Sequence, residues 1–228
     1  MPYRRGMGVL ALLLPERCAV CGRPGQALCP GCRNALTRLR PPVCERCGAP
    51  GPWPVRRCGE CAGRRLAFAR ARSALVYDER ARAFVRAWKE GGRRRLAGEA
   101  AALVAEVVPA PDAACLVPVP GDPERAWARG QVPPKALAAA LARRWGIPLA
   151  DVLERRRSLR PQRGLALQER RRNVRGSVVA RAGVPAGACL VDDVYTSGAT
   201  ADACARALRG AGARRVEVVT LARAIRID

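Results

Sequence analysis

Eight cysteines and one run of twelve residues carry the chemistry that this sequence can do. Cys18/Cys21, Cys29/Cys32, Cys44/Cys47 and Cys58/Cys61 form four C-x-x-C pairs. Such a pair sets two thiolates on one tight turn, both able to reach a tetrahedral Zn²⁺ at roughly 2.3 Å, and two turns complete the four ligands. Gly22 and Gly48 follow two of the pairs, where a knuckle needs a turn residue so that its amides face the sulfurs. The segment is poor in large apolar residues and cannot bury enough surface to fold without metal. A disulfide framework is the alternative, but four regular pairs behind a weak secretory-type leader argue for two structural zinc ions. Sequential use, Cys18/Cys21/Cys29/Cys32 then Cys44/Cys47/Cys58/Cys61, needs only short loops, while the spacing leaves interleaved use open. Cys115, Cys189 and Cys204 fall in apolar patterns and read as small core residues.

The twelve-residue run is Cys189-Leu-Val-Asp-Asp-Val-Tyr-Thr-Ser-Gly-Ala-Thr200. An apolar strand ends in two carboxylates, and a turn of small residues then leads straight into a helix. Thr196, Ser197, Gly198, Ala199 and Thr200 let consecutive backbone N–H groups converge at a helix N-terminus, where the dipole and free amides favour a phosphate. Asp192 and Asp193 would repel that phosphate, so their place is beside it, accepting hydrogen bonds from sugar hydroxyls. A phosphate nest next to two such carboxylates describes a 5-phosphoribosyl group. There is no G-x-x-x-x-G-K-[ST] and no G-x-G-x-x-G, so P-loop and dinucleotide readings fail.

The elements that must hold these groups follow from hydrophobic periodicity. Residues 73–77, 115–119, 188–191 and 216–221 read as short apolar strands. Ala81, Phe84, Val85 and Trp88 form one helical face, and Leu96, Ala100, Leu103, Val104 and Val107 a second. Pro133-Pro134 opens a helix with Leu137, Leu141 and Trp145 on one side, and Ala201, Cys204, Ala205 and Leu208 mark another. Short apolar strands alternating with helices predict an α/β fold with a parallel sheet. The expected division is a double zinc ribbon over 1–66 and a sheet domain over 67–228. Arg4-Arg5 before Gly8–Leu14 only echoes a signal peptide, so that segment is expected to pack on the ribbons, and the protein to be cytoplasmic with no membrane span.

Composition removes whole classes of function. The 228 residues include no histidine, which excludes Ser-His-Asp hydrolases, HExxH metalloproteases and His-x-Glu zinc deaminases. The core is aliphatic, with 49% hydrophobic but only 4% aromatic residues. The formal charge of +23 comes from 42 basic residues, all arginine except Lys89 and Lys135. It reads equally as compositional bias and as an anion-binding face. Residues 155–175 hold nine arginines against the single acid Glu169, dense enough to follow a phosphate backbone, although no aromatics interleave for base stacking. Trp53 is expected to pack the ribbon.

Leu190-Val-Asp-Asp-Val-Tyr-Thr-Ser-Gly-Ala-Thr200 resembles the phosphoribosyl pyrophosphate (PRPP) motif of type I phosphoribosyltransferases. The whole chain resembles the ComF family of competence proteins, a double zinc ribbon before such a domain. Leu116-Val-Pro-Val-Pro120, Arg129-Gly130, Pro161-Gln-Arg-Gly-Leu165 and Arg170-Arg-Arg-Asn-Val-Arg-Gly176 extend the likeness. It implies a type I phosphoribosyltransferase fold, PRPP as ligand, and Mg²⁺ bridging pyrophosphate and ribose. Asp192 and Asp193 would hold the ribose, Thr196–Thr200 the 5′-phosphate, and the turn after Pro120 would face pyrophosphate. Arg125 or Arg129 would be the catalytic residues closing over the leaving group. The chain departs from the family in following Arg-Gly with Gln131-Val132-Pro133 instead of an aromatic, Asn and Gln, so the motifs speak for PRPP binding more than for transfer. Two functions follow from the resemblance: phosphoribosyl transfer to a nitrogen nucleophile in the service of DNA uptake, or a non-catalytic single-stranded-DNA adaptor with PRPP as regulator or relic. Partners would then be competence proteins such as a DNA-uptake helicase.

Overall fold

The computed structural model of the chain describes residues 16–122, 132–155, 178–181 and 183–225. The apolar Gly8–Leu14 segment, Arg125, Arg129 and most of the 155–175 arginine stripe lie outside them. In chain order the elements are α1 (Pro30–Ala35), β1 (Arg70–Val76), α2 (Glu79–Glu90), α3 (Leu96–Val107), β2 (Cys115–Pro118), α4 (Pro133–Trp145), β3 (Leu153–Arg155), β4 (Val178–Ala180), β5 (Gly187–Tyr195), α5 (Ala199–Gly210) and β6 (Arg215–Arg223).

Four strands form a sheet in the order β1-β6-β5-β2, every pair parallel, as the alternation of short apolar strands with helices predicts. The alternation of side chains along each strand splits the core in two. Leu116, Cys189, Val191, Val219 and Leu221 pack under α2, α3 and α4. Val117, Ala188, Leu190, Val216 and Val218 face α5 on the other side. Cys115, Cys189 and Cys204 are core residues, all buried. A separate antiparallel pair, β3-β4, packs beside α5.

Both edges of the sheet are covered, as unpaired strand edges must be if they are not to recruit other chains. Thr37–Leu39 runs antiparallel along β1, with Leu39 N donating to Ala74 O at 2.8 Å and Val76 N donating to Thr37 O at 2.9 Å. At the opposite edge, Leu116 N donates to Pro148 O and Ala150 N to Leu116 O, both at 2.8 Å. Because the strip on β1 is the link between the two cysteine modules, it sends one to each face. Cys18, Leu28 and Leu36 join the core of α2 and α3; Cys44, Cys47 and Cys61 join that of α5. Arg33 and Arg38 reinforce the first contact through Glu99 and Glu106 of α3 at 3.1–3.3 Å, and the Arg38 hydrogen bond holds the Glu106 carboxyl below its usual range.

Leu190 lies fully buried in β5, between its parallel neighbours β2 and β6. Leu190→Ala is expected to lower unfolding free energy by about 2–5 kcal/mol, read from the midpoint of a urea transition.

Candidate functional site

The eight paired cysteines assemble sequentially into two clusters, Cys18/Cys21/Cys29/Cys32 and Cys44/Cys47/Cys58/Cys61, the sulfurs of each lying within 4.8 Å of one another. Tetrahedral coordination at roughly 2.3 Å from zinc to sulfur puts neighbouring sulfurs about 3.8 Å apart. The separations are 3.8 Å for Cys21–Cys29, 3.7 Å for Cys44–Cys61, 3.5 Å for Cys47–Cys58 and 4.0 Å for Cys58–Cys61. They match a tetrahedral edge and are far from the roughly 2.05 Å of a disulfide. Interleaved pairing is thereby excluded, and both sites are consistent with structural zinc. When bound, the metal supplies the cross-link that these small modules need in order to fold.

The backbone prepares each site in the same way. The amide four residues after each first cysteine closes the knuckle: Gly22 N to Cys18 O at 3.0 Å, Arg33 N to Cys29 O at 2.9 Å, Gly48 N to Cys44 O at 2.9 Å and Ala62 N to Cys58 O at 2.8 Å. Burial opposes ionisation of Cys18 and Cys44, but amide donors outweigh it and lower their thiols to about 6 and about 7. Gly48 has φ 71°, and a Cβ there would meet Ala71 O at 2.6 Å, so only glycine lets the second ribbon press on β1. The two ribbons are repeats of one design: Cys18 N to Arg23 O recurs as Cys44 N to Ala49 O, at 2.8 and 2.7 Å. Trp53 corrects the sequence reading, for it does not pack the ribbon. It stands 65% exposed, in a segment whose neighbours Pro52 and Pro54 are exposed as well, so no core lies against it.

The second ribbon leads directly to the predicted ligand loop. Arg223, at the end of β6, is fully buried. Its guanidinium donates to Cys47 O at 2.6 Å, lies 3.8 Å from Cys47 Sγ and pairs with Glu60 at 2.7 Å. It also stacks 4.5 Å from the centroid of Tyr195. Tyr195 ends β5, meets Phe68 edge-on and fills the space under Gly198. Gly198 has φ 72°, and a Cβ on it would approach Tyr195 Cζ to 2.6 Å, so glycine is required there for both conformation and room. Arg64, three residues past Cys61, donates to Ser197 O at 2.8 Å. Asp202 in the first turn of α5 accepts from Ala67 N at 2.6 Å. Gly198, the N-cap of α5, has no side chain to offer, and the one side-chain acceptor at this end is the Ser197 hydroxyl, which takes a long 3.4 Å hydrogen bond from Ala199 N. Thr196, Ser197, Ala199 and Thr200 are exposed or half-buried around that point, and Gly198 is buried against Tyr195.

Asp192 and Asp193 sit at the same strand end but in different surroundings. Asp193 is buried and pairs with Lys89 of α2 at 2.7 Å, and its amide donates to Asp192 Oδ1 at 2.8 Å. Asp192 is half-buried; loss of water, then the neighbouring Asp193 charge, raise its carboxyl to about 8, against the pull of Lys89 and Arg155. The turn after β2 lies alongside, since Val119 N donates to Val191 O at 2.9 Å, and it carries Pro120, Gly121 and Asp122. Sequence reasoning missed Lys89, Arg64 and Arg223. Lys89 alone gave a signal, being one of two lysines in a chain that otherwise uses arginine.

Residues 9–62 match the family profile described as a double zinc ribbon domain. The chain is 28% identical over 211 residues to Competence protein F of Haemophilus influenzae, covering 86% of this chain and 90% of that protein. It is 29% identical over 231 residues to DNA utilization protein YhgH of Salmonella typhi, covering 94% and 100%. Together these similarities support the resemblance to the ComF family. The ComF likeness spans the ribbons and the parallel sheet alike, and no helix among the described residues is long and apolar enough to cross a membrane.

Elemental analysis of chelator-washed, then denatured, protein is expected to give two zinc ions per chain, and Cys44→Ser about one, with a lowered melting temperature. Disulfides found by mass spectrometry in place of metal would contradict the assignment.

Proposed function

We propose that the chain binds PRPP with Mg²⁺ at the carboxyl end of β5 and serves DNA uptake. The observation that carries this reading is the placement of Asp192 and Asp193 at the end of β5 and of the glycine-capped N-terminus of α5 on either side of the Thr196–Thr200 turn. Open parallel sheets bind ligands beyond the carboxyl ends of their strands, and this end of β5 lies beside the turn that follows β2. The run that resembles a PRPP motif, Leu190–Thr200, spans the end of β5 and the start of α5, and the relatives carry names from competence and DNA utilization. We take 1–66 as the ribbon module and 67–228 as a phosphoribosyltransferase-like domain, with the ribbons sharing its two cores.

In this reading the amides of residues 197–200 receive the 5′-phosphate and Arg64 holds the loop from behind through Ser197 O. Asp192 accepts hydrogen bonds from ribose hydroxyls, and Asp193, kept in place by Lys89, completes the acceptor pair. The carboxylates are oxygen donors of the kind that Mg²⁺ takes, largely through water. Bound there, the metal would neutralise charge on pyrophosphate. Arg125 and Arg129 follow the β2 turn in sequence and are proposed to cover that group. Transfer breaks the bond from C1 of the ribose to the pyrophosphate oxygen and forms one to a nitrogen nucleophile, with electrostatic stabilisation of the leaving group. The adaptor reading uses the same site and leaves that bond intact, so release of pyrophosphate from bound PRPP separates the two.

Calorimetric titration is expected to detect PRPP binding that needs Mg²⁺. Asp192→Asn combined with Asp193→Asn should weaken it tenfold or more, since each lost charge-assisted hydrogen bond is worth about 1.5–3 kcal/mol. Asp192 has a raised carboxyl, so it must give up a proton to accept these bonds, and binding should release protons below about pH 8. Repeating the titration in buffers of different ionisation enthalpy reads that release, which Asp192→Asn should abolish. Unchanged affinity in the folded double variant would remove the ribose assignment.

A further inference from the structure

The opposite, amino end of the sheet carries a second site. A cavity of about 760 Å³ opens where the second ribbon meets the starts of β1 and β6, lined by Arg46, Arg56, Arg57, Arg70, Arg72 and Arg215, with Glu45. A second hollow of about 510 Å³ continues from it across Arg46 and Arg215 to Arg65, Arg214 and, on α5, Arg206 and Arg209. The two share walls and form one trough of arginines whose only lining carboxylate is Glu45. Buried Glu217 pairs with Arg70 and Arg215 at 2.7 and 2.8 Å, and Asp202 with Arg206 at 3.1 Å. Arg46, Arg56, Arg57, Arg65, Arg72, Arg209 and Arg214 form no ion pair among the described residues.

Two of these arginines are fixed by backbone carbonyls. Arg46 donates to Leu66 O at 2.7 Å and Arg72 to Glu45 O at 2.9 Å, which fixes the stems along the floor. Burial, and then the charge on Arg70, lower the Arg72 guanidinium, a sign that the cluster repels itself. Such an assembly gains most from a ligand that brings a row of negative charges. Trp53 stands 65% exposed in the loop that leads into Arg56 and Arg57, on the ribbon that forms one wall. An exposed indole three residues before the lining Arg56 is what a strand with free bases needs, since bases stack on aromatic faces while the backbone follows the charge.

We infer that this trough is the path of a single-stranded nucleic acid, held by its phosphates along the arginines and by base stacking on Trp53, without sequence preference. The inference rests on the DNA-uptake reading for the identity of the polyanion and is independent of the PRPP site at the other end of the sheet. It also assigns the path to described residues of the second ribbon, β1, β6 and α5 in place of the 155–175 stripe.

The test uses the zinc-loaded full chain and a labelled oligothymidylate, with anisotropy followed across a salt series. Arg56→Gln/Arg57→Gln/Arg65→Gln is expected to weaken binding and to flatten the slope of log K against log salt by about 2, at roughly 0.7 per lost phosphate contact. Arg80→Gln/Arg82→Gln/Arg86→Gln, three exposed arginines of α2, removes the same net charge and should leave the slope unchanged. Trp53→Ala should weaken oligothymidylate about tenfold while leaving binding of inorganic polyphosphate, which has no bases, as it was. An unaltered slope in the Arg56/Arg57/Arg65 variant, or an equal loss in the α2 control, overturns the proposal. Polyphosphate binding that oligothymidylate cannot displace overturns it too and makes the trough a polyphosphate site. PRPP titration of the same variants should be unchanged. Loss of PRPP binding in the Asp192/Asp193 variant with DNA binding intact, or the reverse in the arginine variant, tells failure of one reading from failure of the other.

Discussion

A buried guanidinium ties the second ribbon to the sheet. Arg223 is cut off from water, and a buried charge is tolerated only where it is paired and hydrogen-bonded. Its partners come from two modules: Glu60, Cys47 O and Cys47 Sγ from the second ribbon, and the ring of Tyr195 from β5. Neither module can leave without stranding the charge. Tyr195 in turn sets the height of Gly198, and Arg64 holds Ser197 from the ribbon side. The loop proposed to receive phosphate is therefore shaped by a cysteine cluster that is distant from it in sequence.

This arrangement gives the ribbons a structural reason to be part of the molecule. They cover both faces beside β1, and the strip between them closes the sheet's free edge. The parallel sheet also has two chemically different ends. Its carboxyl end gathers Asp192, Asp193 and the N-terminus of α5, where acceptors and amides suit a sugar phosphate. Its amino end gathers arginines from four elements, where a chain of phosphates fits. The second ribbon reaches both ends, lining the arginine trough through Arg46 and holding Arg223 through Cys47.

The parts readable from sequence were those with a period or a spacing. Apolar runs such as Ala188–Val191 and stripes such as Phe84/Val85/Trp88 became β5 and α2 because burial imposes the same pattern that reveals them. The C-x-x-C pairs carried their own geometry, but their spacing left sequential and interleaved use open until the fold gathered Cys18/Cys21/Cys29/Cys32 and Cys44/Cys47/Cys58/Cys61. What stayed hidden was pairing across long separations. Arg223 is one of 42 basic residues and has no local mark; only the fold brings it to Cys47 and Glu60. The trough was hidden for the same reason, since its arginines are dispersed between Arg46 and Arg215, whereas the dense run after Arg155 drew attention by proximity alone. Trp53 was misjudged because a tryptophan among few aromatics suggests a core, and the exposed turn at Gly51–Pro54 offers none.

The central claim is that the buried Arg223 link shapes the loop at the N-terminus of α5. Amide hydrogen exchange on Arg223→Met measures it most directly, since methionine fills similar space without the charge or its hydrogen bonds. With zinc content retained and strands β2 and β5 still protected, the account predicts that exchange accelerates at residues 196–200 and at the knuckle amides near Cys47. Unchanged exchange at both places, in a variant that has lost the guanidinium, would contradict it.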